Sequence, residues 1–344
     1  MSRVVLTGDE IEAIRNLLGE VSARYSSPEE PQFLKEADVY AHELPRRIRG
    51  AIREFRLTEP KGALLVVSGY PVDQEKIGRT PRHWRVKDPT NDTLHEELLL
   101  VLLGSLLGDV IGWSTQQDGR IVHDIFPIEG HETEQLGSGS EELLTWHTED
   151  AFHPYRGDYL GLMCLRNPDQ VPTTFASLEG VKLTPEQVRI LSEPHFTIRP
   201  DESHLAKNRG QKSGLSPAEE ALLQRAYAKI DQMWNSPEKI PVFSGGGESP
   251  YLRLDPYFMD PIVDNAEAQA ALDELVRQVD EVIEDQILGP GDFIFVDNYK
   301  AVHGRKPFKA RYDGTDRWLK RVNISRDLRK SRESRLTPDS RVIH

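Results

Sequence analysis

A single cysteine, Cys164, stands in 344 residues, so no internal disulfide can form and no cysteine-rich zinc or iron–sulfur site is available. Positive charge is also scarce. Lysine and arginine number 43 against 56 acids, a formal net charge of −13. That balance repels phosphate backbones and anionic lipid surfaces, so nucleic acid and membrane are poor partners, whereas a small cationic ligand would be drawn in. No apolar run approaches the roughly 20 residues a bilayer span needs; the longest, residues 98–107, contains Gly104 and Ser105. The first residues lack a basic start, an apolar core and a small-residue cleavage site, and Thr7 and Glu10 read instead as a capping box that opens a helix. A soluble protein of the reducing cytoplasm is the expectation. The zinc-peptidase signature HExxH is missing, as are internal repeats.

What is present divides near residue 115. Before it, Ile11, Ile14, Leu18 and Val21 recur at helical spacing, as do Leu34, Val39, Leu44, Ile48 and Ile52 with a break at Pro45. "GALLVVSGY" predicts a central strand, and "TLHEELLLVLLGSLLGDVIGW" one long buried helix. After it come short β-type runs separated by turn signals: "RIVHDIFPI", "LLTWHTE", "YLGLMCLRN", "TTFASL", "YLRLD", "GDFIFVDN" and "RWLKRVNIS". Their spacing predicts an antiparallel sandwich or barrel, with helices over 184–191, 217–234 and 264–288 inserted or packed outside. Residues 203–216, polar and Gly-bearing, read as a mobile loop, either a lid or a plain surface connection. The tail from Arg326, rich in arginine and lysine and poor in apolar residues, reads as a frayed terminus.

Two His-x-Glu pairs occur, and geometry separates them. His95 and Glu97 lie in a helical pattern, where residues two apart point to different sides. His147 and Glu149 follow a run with strand character, where residues two apart share a face and can chelate together. The strongest candidate for a third ligand is His303, at the end of "GDFIFVDNYKAVHGRKPF" after a turn at Gly291 and Asp292; taken alone it also fits a capping or loop histidine. Two histidines and one carboxylate make the facial triad of non-haem iron(II), which leaves three positions open. Arg317 opens the next strand and faces the same side as Leu319 and Arg321. Its guanidinium fork suits the distal carboxylate of a metal-bound keto-diacid.

This order of motifs resembles the clavaminate synthase-like branch of the iron(II)/2-oxoglutarate oxygenases. "HTEDAFHPYRGDYLGLMCLRNPD" and "VDNYKAVHGRKPFKARYDGTDRWLKRVNISRDL" are similar to the free L-arginine and L-lysine hydroxylase group within it. The resemblance implies an α+β fold with a double-stranded β-helix (jelly-roll) core and packed and inserted helices. Residues 1–330 would form a single oxygenase domain, with 1–115 mainly helical, 116–330 the jelly roll with a helical insert at about 180–240, and 331–344 a tail. It implies Fe(II) on His147, Glu149 and His303, with 2-oxoglutarate on Arg317 and Thr173 and O2 as the last reactant. The amino-acid substrate would be held through its α-carboxylate by Arg321, its amino group by Gln116 and its basic end by Asp255, with Glu149 also among the substrate-binding residues. Similar arginine hydroxylases place a second aspartate two residues on, where this chain has Tyr257. One carboxylate plus neutral acceptors satisfies a compact ammonium better than a planar fork, which favours lysine over arginine, hydroxylated at C3 with C4 second. The alternatives are hydroxylation of arginine or an arginine derivative and, from another class, a non-catalytic jelly-roll binding protein.

Overall fold

The structure, a computed structural model, describes residues 2–86, 88–206, 214–246 and 249–344. The chain opens with strand β1 (Ser2–Val5), followed by helices α1 (Gly8–Ser22), α2 (Pro31–Ala41) and α3 (Arg46–Thr58), strand β2 (Leu64–Ser68) and helix α4 (Leu94–Ser105). The Thr7–Glu10 capping box closes in both directions at the start of α1. Pro45 separates α2 from α3, where its fixed φ suits a helix entry and its missing N–H costs nothing. Helix α4 is buried on almost every side, since α1 and α2 cover one flank and a sheet the other.

The remaining elements are β3 (Asp109–Trp113), β4 (His123–Ile125), β5 (Leu144–His147), β6 (Tyr159–Arg166), β7 (Thr173–Ser177), α5 (Pro185–Leu191), α6 (Pro217–Asn235), β8 (Phe243–Ser244), β9 (Tyr251–Leu252), α7 (Ala266–Val282), β10 (Glu284–Gln286), β11 (Phe293–Asp297), β12 (Ala301–Arg305), β13 (Trp318–Ser325) and β14 (Val342–Ile343). Among the described residues an eight-stranded mixed sheet runs β1, β2, β11, β6, β13, β3, β14, with β4 on the first half of β13. A four-stranded antiparallel sheet runs β10, β7, β12, β5, and β8 with β9 makes a small hairpin.

Alternation along the strands sorts the core into layers. Leu65, Val67, Phe293, Phe295, Val322 and Ile324 face outward onto α1 to α4. Their neighbours Leu64, Val66, Ile294, Val296 and Leu319 face inward, where they meet Phe175 and Ala301 of the four-stranded sheet. Trp146, Ala176 and Val302 on the other side of that sheet pack against α5 and α7. Both faces of the large sheet are therefore covered, which is why its strands read as unbroken apolar runs. Gly291 at the turn into β11 has φ +84°, and a Cβ there would fall 1.6 Å from the Tyr70 carbonyl oxygen, so no other residue fits.

Four expectations need correction. The long helix read over "TLHEELLLVLLGSLLGDVIGW" stops at Ser105; Asp109–Trp113 is a strand, paired with β13 through Val110 and Ile111. A buried strand and a buried helix carry the same unbroken apolar text, and Gly108 makes the turn between them against the Ser325 carbonyl. The helix over 264–288 likewise ends at Val282, and Glu284–Gln286 forms an edge strand beside β7. The first residues contribute β1, parallel to β2, in a part read as mainly helical. The tail is not frayed. Val342 and Ile343 pair with Gly112 and Trp113, and the buried Arg335 guanidinium donates to the carbonyls of Leu328, Pro338 and Ser340 at 2.7, 2.6 and 3.0 Å. A terminus whose arginine satisfies main-chain oxygens is held by polar bonds, which hydropathy does not register.

Of the mobile loop read over 203–216, residues 207–213 lie outside the described residues; Glu202–His204 forms a 3-10 turn with His204 buried. Among the described residues no helix is long and apolar enough to cross a membrane.

Candidate active site

The space between the two sheets is polar at one end. His147 closes β5 and lies directly across from His303 on β12 in the antiparallel register, so both imidazoles project inward, their centroids 4.6 Å apart. The register shifts just after His303. Gly304 allows this, because a Cβ there would come within 2.5 Å of the Leu144 carbonyl oxygen. Glu149, two residues beyond His147, presents one carboxylate oxygen to both rings, 3.7 Å from His147 Nε2 and 3.2 Å from His303 Nε2. One ligand-type atom from each residue lies within 4.8 Å of the others. The donor set and its spacing therefore fit a divalent ion.

The surroundings aim these atoms. His147 Nδ1 donates to the Thr145 carbonyl at 2.8 Å, which leaves Nε2 as the acceptor. Asn298 clamps the Glu149 backbone: its side-chain oxygen accepts from the Glu149 N–H at 2.8 Å, and its amide donates to the carbonyls of Glu149 and Gly157 at 3.0 and 2.9 Å. Asp150 follows in left-handed backbone geometry (φ 51°), tied to Trp113, Asn323 and His204 through its carboxylate. His303 stacks on Phe175, and its Nδ1 is buried without a hydrogen-bond partner.

Electrostatics within the trio are uneven. Burial pushes the His147 imidazole down, but Glu149 and Asp255 outweigh it and lift it to about 9. Burial would raise Glu149, yet the Arg321 guanidinium and the two imidazoles hold its carboxyl well below the usual range. His303 is lowered, by burial first, with the His147 charge adding to it against the pull of Glu149.

The other sequence-derived residues divide among three parts of one cavity of about 530 Å³. Arg317 and Thr173 meet at one end, where the guanidinium donates to the hydroxyl at 2.9 Å. Arg317 is 5% exposed, its Nε has no partner, and among the described residues it makes no ion pair. Burial pushes it down to about 10. Arg305 sits at the same end, bonded to carbonyls, so among the described residues two buried cations stand there without an anion. An orphaned fork beside a hydroxyl fits a carboxylate.

Arg321 occupies the middle. It pairs with the Glu149 oxygen turned away from the imidazoles and donates to Gln116 Oε1 at 3.1 Å and to His123 Nδ1 at 2.7 Å. Gln116 in turn donates to Ser203 at 2.6 Å. The opposite end is acidic. Asp255 is buried and lifted to about 7, by burial first, with Asp201 raising it further and the His147 charge opposing. All eight residues named from the sequence thus line one cavity. His123, Asp201, Arg305 and Asn298 were missed. Each is a lone polar residue whose relevance comes from strand register or loop path, and no local motif marks it.

The chain belongs to the taurine catabolism dioxygenase TauD, TfdA family, whose model matches residues 95–323. It is 48% identical over 340 residues to the enduracididine beta-hydroxylase of Streptomyces hygroscopicus, covering 98% of each chain. It is 43% identical to the L-ornithine/L-arginine 3-hydroxylase of Catenulispora acidiphila, covering 100% of each. A crystal structure of the non-heme iron oxygenase OrfP with Fe, succinate and (3S)-hydroxy-L-Arg superposes with a TM-score of 0.93 at 45% identity, over 100% of both chains. An L-lysine 3-hydroxylase of Catenulispora acidiphila and clavaminate synthase 2 of Streptomyces clavuligerus stand further off, each 29% identical. The resemblance to the clavaminate synthase-like branch holds, and a non-catalytic binding module is set aside in favour of an enzyme. The preference for lysine is not supported, since the more similar relatives carry enduracididine, ornithine and arginine in their names.

Proposed function

We propose that this chain is an iron(II)- and 2-oxoglutarate-dependent hydroxylase of arginine or an arginine-derived amino acid, acting at C3. The observation that carries the reading is the single cavity into which the His147, Glu149 and His303 trio, the anion-less Arg317 and the buried Asp255 all open. In this reading the two facing sheets are halves of a double-stranded β-helix, the jelly roll, and the enzyme is cytoplasmic. His147, Glu149 and His303 hold the iron, while Arg317 and Thr173 take the distal carboxylate of 2-oxoglutarate. Bound iron with 2-oxoglutarate and O2 supplies the oxidising power to insert a hydroxyl into an unactivated C–H bond. The protein's part is to hold the amino acid at both ends, with Arg321 on the α-carboxylate, Gln116 and Glu149 on the amino group, and Asp255 on the basic terminus.

Asp201 changes the argument about that terminus. A planar fork is well served by two carboxylates, and the missing second aspartate at Tyr257 pointed to an ammonium. Asp201 lines the same cavity and acts on Asp255 electrostatically, so a second acid arrives from a distant segment. Incubation with iron(II), 2-oxoglutarate and O2 is expected to add one oxygen atom to arginine faster than to lysine or ornithine, as read by mass spectrometry. No product from any basic amino acid would remove the whole reading; faster turnover of lysine would remove only the choice of arginine.

A pH effect follows from Asp255. Its carboxyl titrates at about 7, so the anion that grips a cation is lost as pH falls below that value. With a saturating redox-inert divalent ion and 2-oxoglutarate, arginine affinity is expected to fall up to about tenfold per pH unit below 7, since a proton competes for the same carboxylate. Norleucine, which lacks the basic group, should show no such slope. Identical slopes for both ligands, measured by calorimetry, would exclude Asp255 from the grip.

A further inference from the structure

Arg321 has three acceptors, and two of them have other duties. Glu149 faces the imidazoles with its second oxygen, and Gln116 is tied to Ser203 in the segment leading to residue 206. His123 is different. It lies directly opposite Arg321 in the pairing of β4 with β13, so both side chains project to the same side of the sheet. Its ring is 3% exposed and lines the cavity. Nδ1 accepts from Arg321 Nη2 at 2.7 Å, so the proton sits on Nε2, which donates to the Arg120 carbonyl at 2.9 Å. Both ring nitrogens are used, and the ring is neutral.

We propose that His123 is a positioning residue for the amino-acid substrate, its neutral Nδ1 holding Arg321 so that the guanidinium's remaining N–H groups meet the α-carboxylate. The inference rests on the reading of Arg321 as the α-carboxylate anchor. An acid at position 123 would neutralise the guanidinium and compete with the incoming carboxylate. An apolar side chain would leave Nη2 with the longer bond to Gln116 as its remaining tie, and the fork freer to turn toward the carboxylate that the imidazoles share. A neutral acceptor fixes the fork without adding a second anion to the one Glu149 already supplies. Burial, with the Arg321 charge adding to it, keeps the imidazole at about 3, so it stays uncharged throughout the physiological range.

Asn and Leu share the same branched side-chain skeleton and differ chiefly in whether an acceptor is offered, so the pair His123→Asn and His123→Leu tests the bond. Arginine binding is measured by calorimetry on full-length protein loaded with zinc(II) and 2-oxoglutarate, with 2-oxoglutarate affinity measured in parallel. The leucine variant is expected to lose about tenfold or more in arginine affinity, the value of one well-placed charged hydrogen bond, while 2-oxoglutarate affinity is unchanged. The asparagine variant should recover most of that loss. With iron(II), KM for arginine should rise more than kcat falls. Parent-like arginine binding by His123→Leu, or equally weak binding by both variants, would overturn the proposal; His123→Ala stands in for leucine if the latter does not fold. Arg321→Met separates the two levels. If it leaves arginine binding intact, the anchor reading fails; if it abolishes binding while His123→Leu does not, only the positioning role fails.

Discussion

Glu149→Ala is expected to lose both the metal and part of the fold's stability. The carboxylate supplies one of three ligand atoms, and metal affinity should fall by well over about 100-fold, the upper range for removing a partner that merely supports a ligand. The same change strips Arg321 of its ion-pair partner and leaves it with Gln116 and His123, two neutral acceptors. Removing one member of a buried pair costs about 3–5 kcal/mol. The Arg321 side chain is 16% exposed, so the lower end applies, and the apo preparation should melt several degrees below its parent. Calorimetric titration with a divalent ion and a thermal melt read the two effects separately. Unaltered metal affinity would show that the ion binds elsewhere.

Arg317→Met is expected to act in the opposite sense on stability and as strongly on binding. The guanidinium is buried with one hydroxyl partner, an orphaned Nε and Arg305 as a cationic neighbour. Replacing an uncompensated buried ion with an apolar side chain of similar length is neutral or stabilising, by up to about 4 kcal/mol. The ligand-free variant should therefore melt at or above the parent's temperature. Its affinity for 2-oxoglutarate should drop about 100-fold or more, since breaking a desolvated charge pair costs about 2–5 kcal/mol. A destabilised variant with parent-like 2-oxoglutarate binding would mean that Arg317 is a structural cation.

How far the site could be read in advance depended on where its information lay along the chain. His147 and Glu149, or Arg317 and Arg321, stand an even number of residues apart, so a local strand reading puts each pair on one face, although Glu149 lies in the turn after β5 and Arg317 just before β13, next to a register shift. His303, Thr173, Gln116 and Asp255 depended on the order of motifs or on resemblance, because nothing in "VPTTFAS" or "YLRLDPYFMD" marks a ligand. His123 and Asp201 reach the cavity through the β4 register and the path of an irregular segment, and neither relation is local. The fold was misread where burial on both faces erased periodicity, as in Asp109–Trp113, and where bonds to main-chain carbonyls helped hold the chain, as at Arg335.

The cavity carries two buried guanidinium groups at one end and two carboxylates at the other. Such a polarity sorts visitors before any chemistry begins: a diacid is drawn to one end and a cationic side chain to the other. In the proposed reading, an arginine entering reversed would bring its carboxylate against Asp255 and Asp201 and its guanidinium toward Arg321, and would be opposed at both. In that reading the fixed charges of the walls would select the orientation of the reacting carbon, with no moving part required to reject the wrong pose.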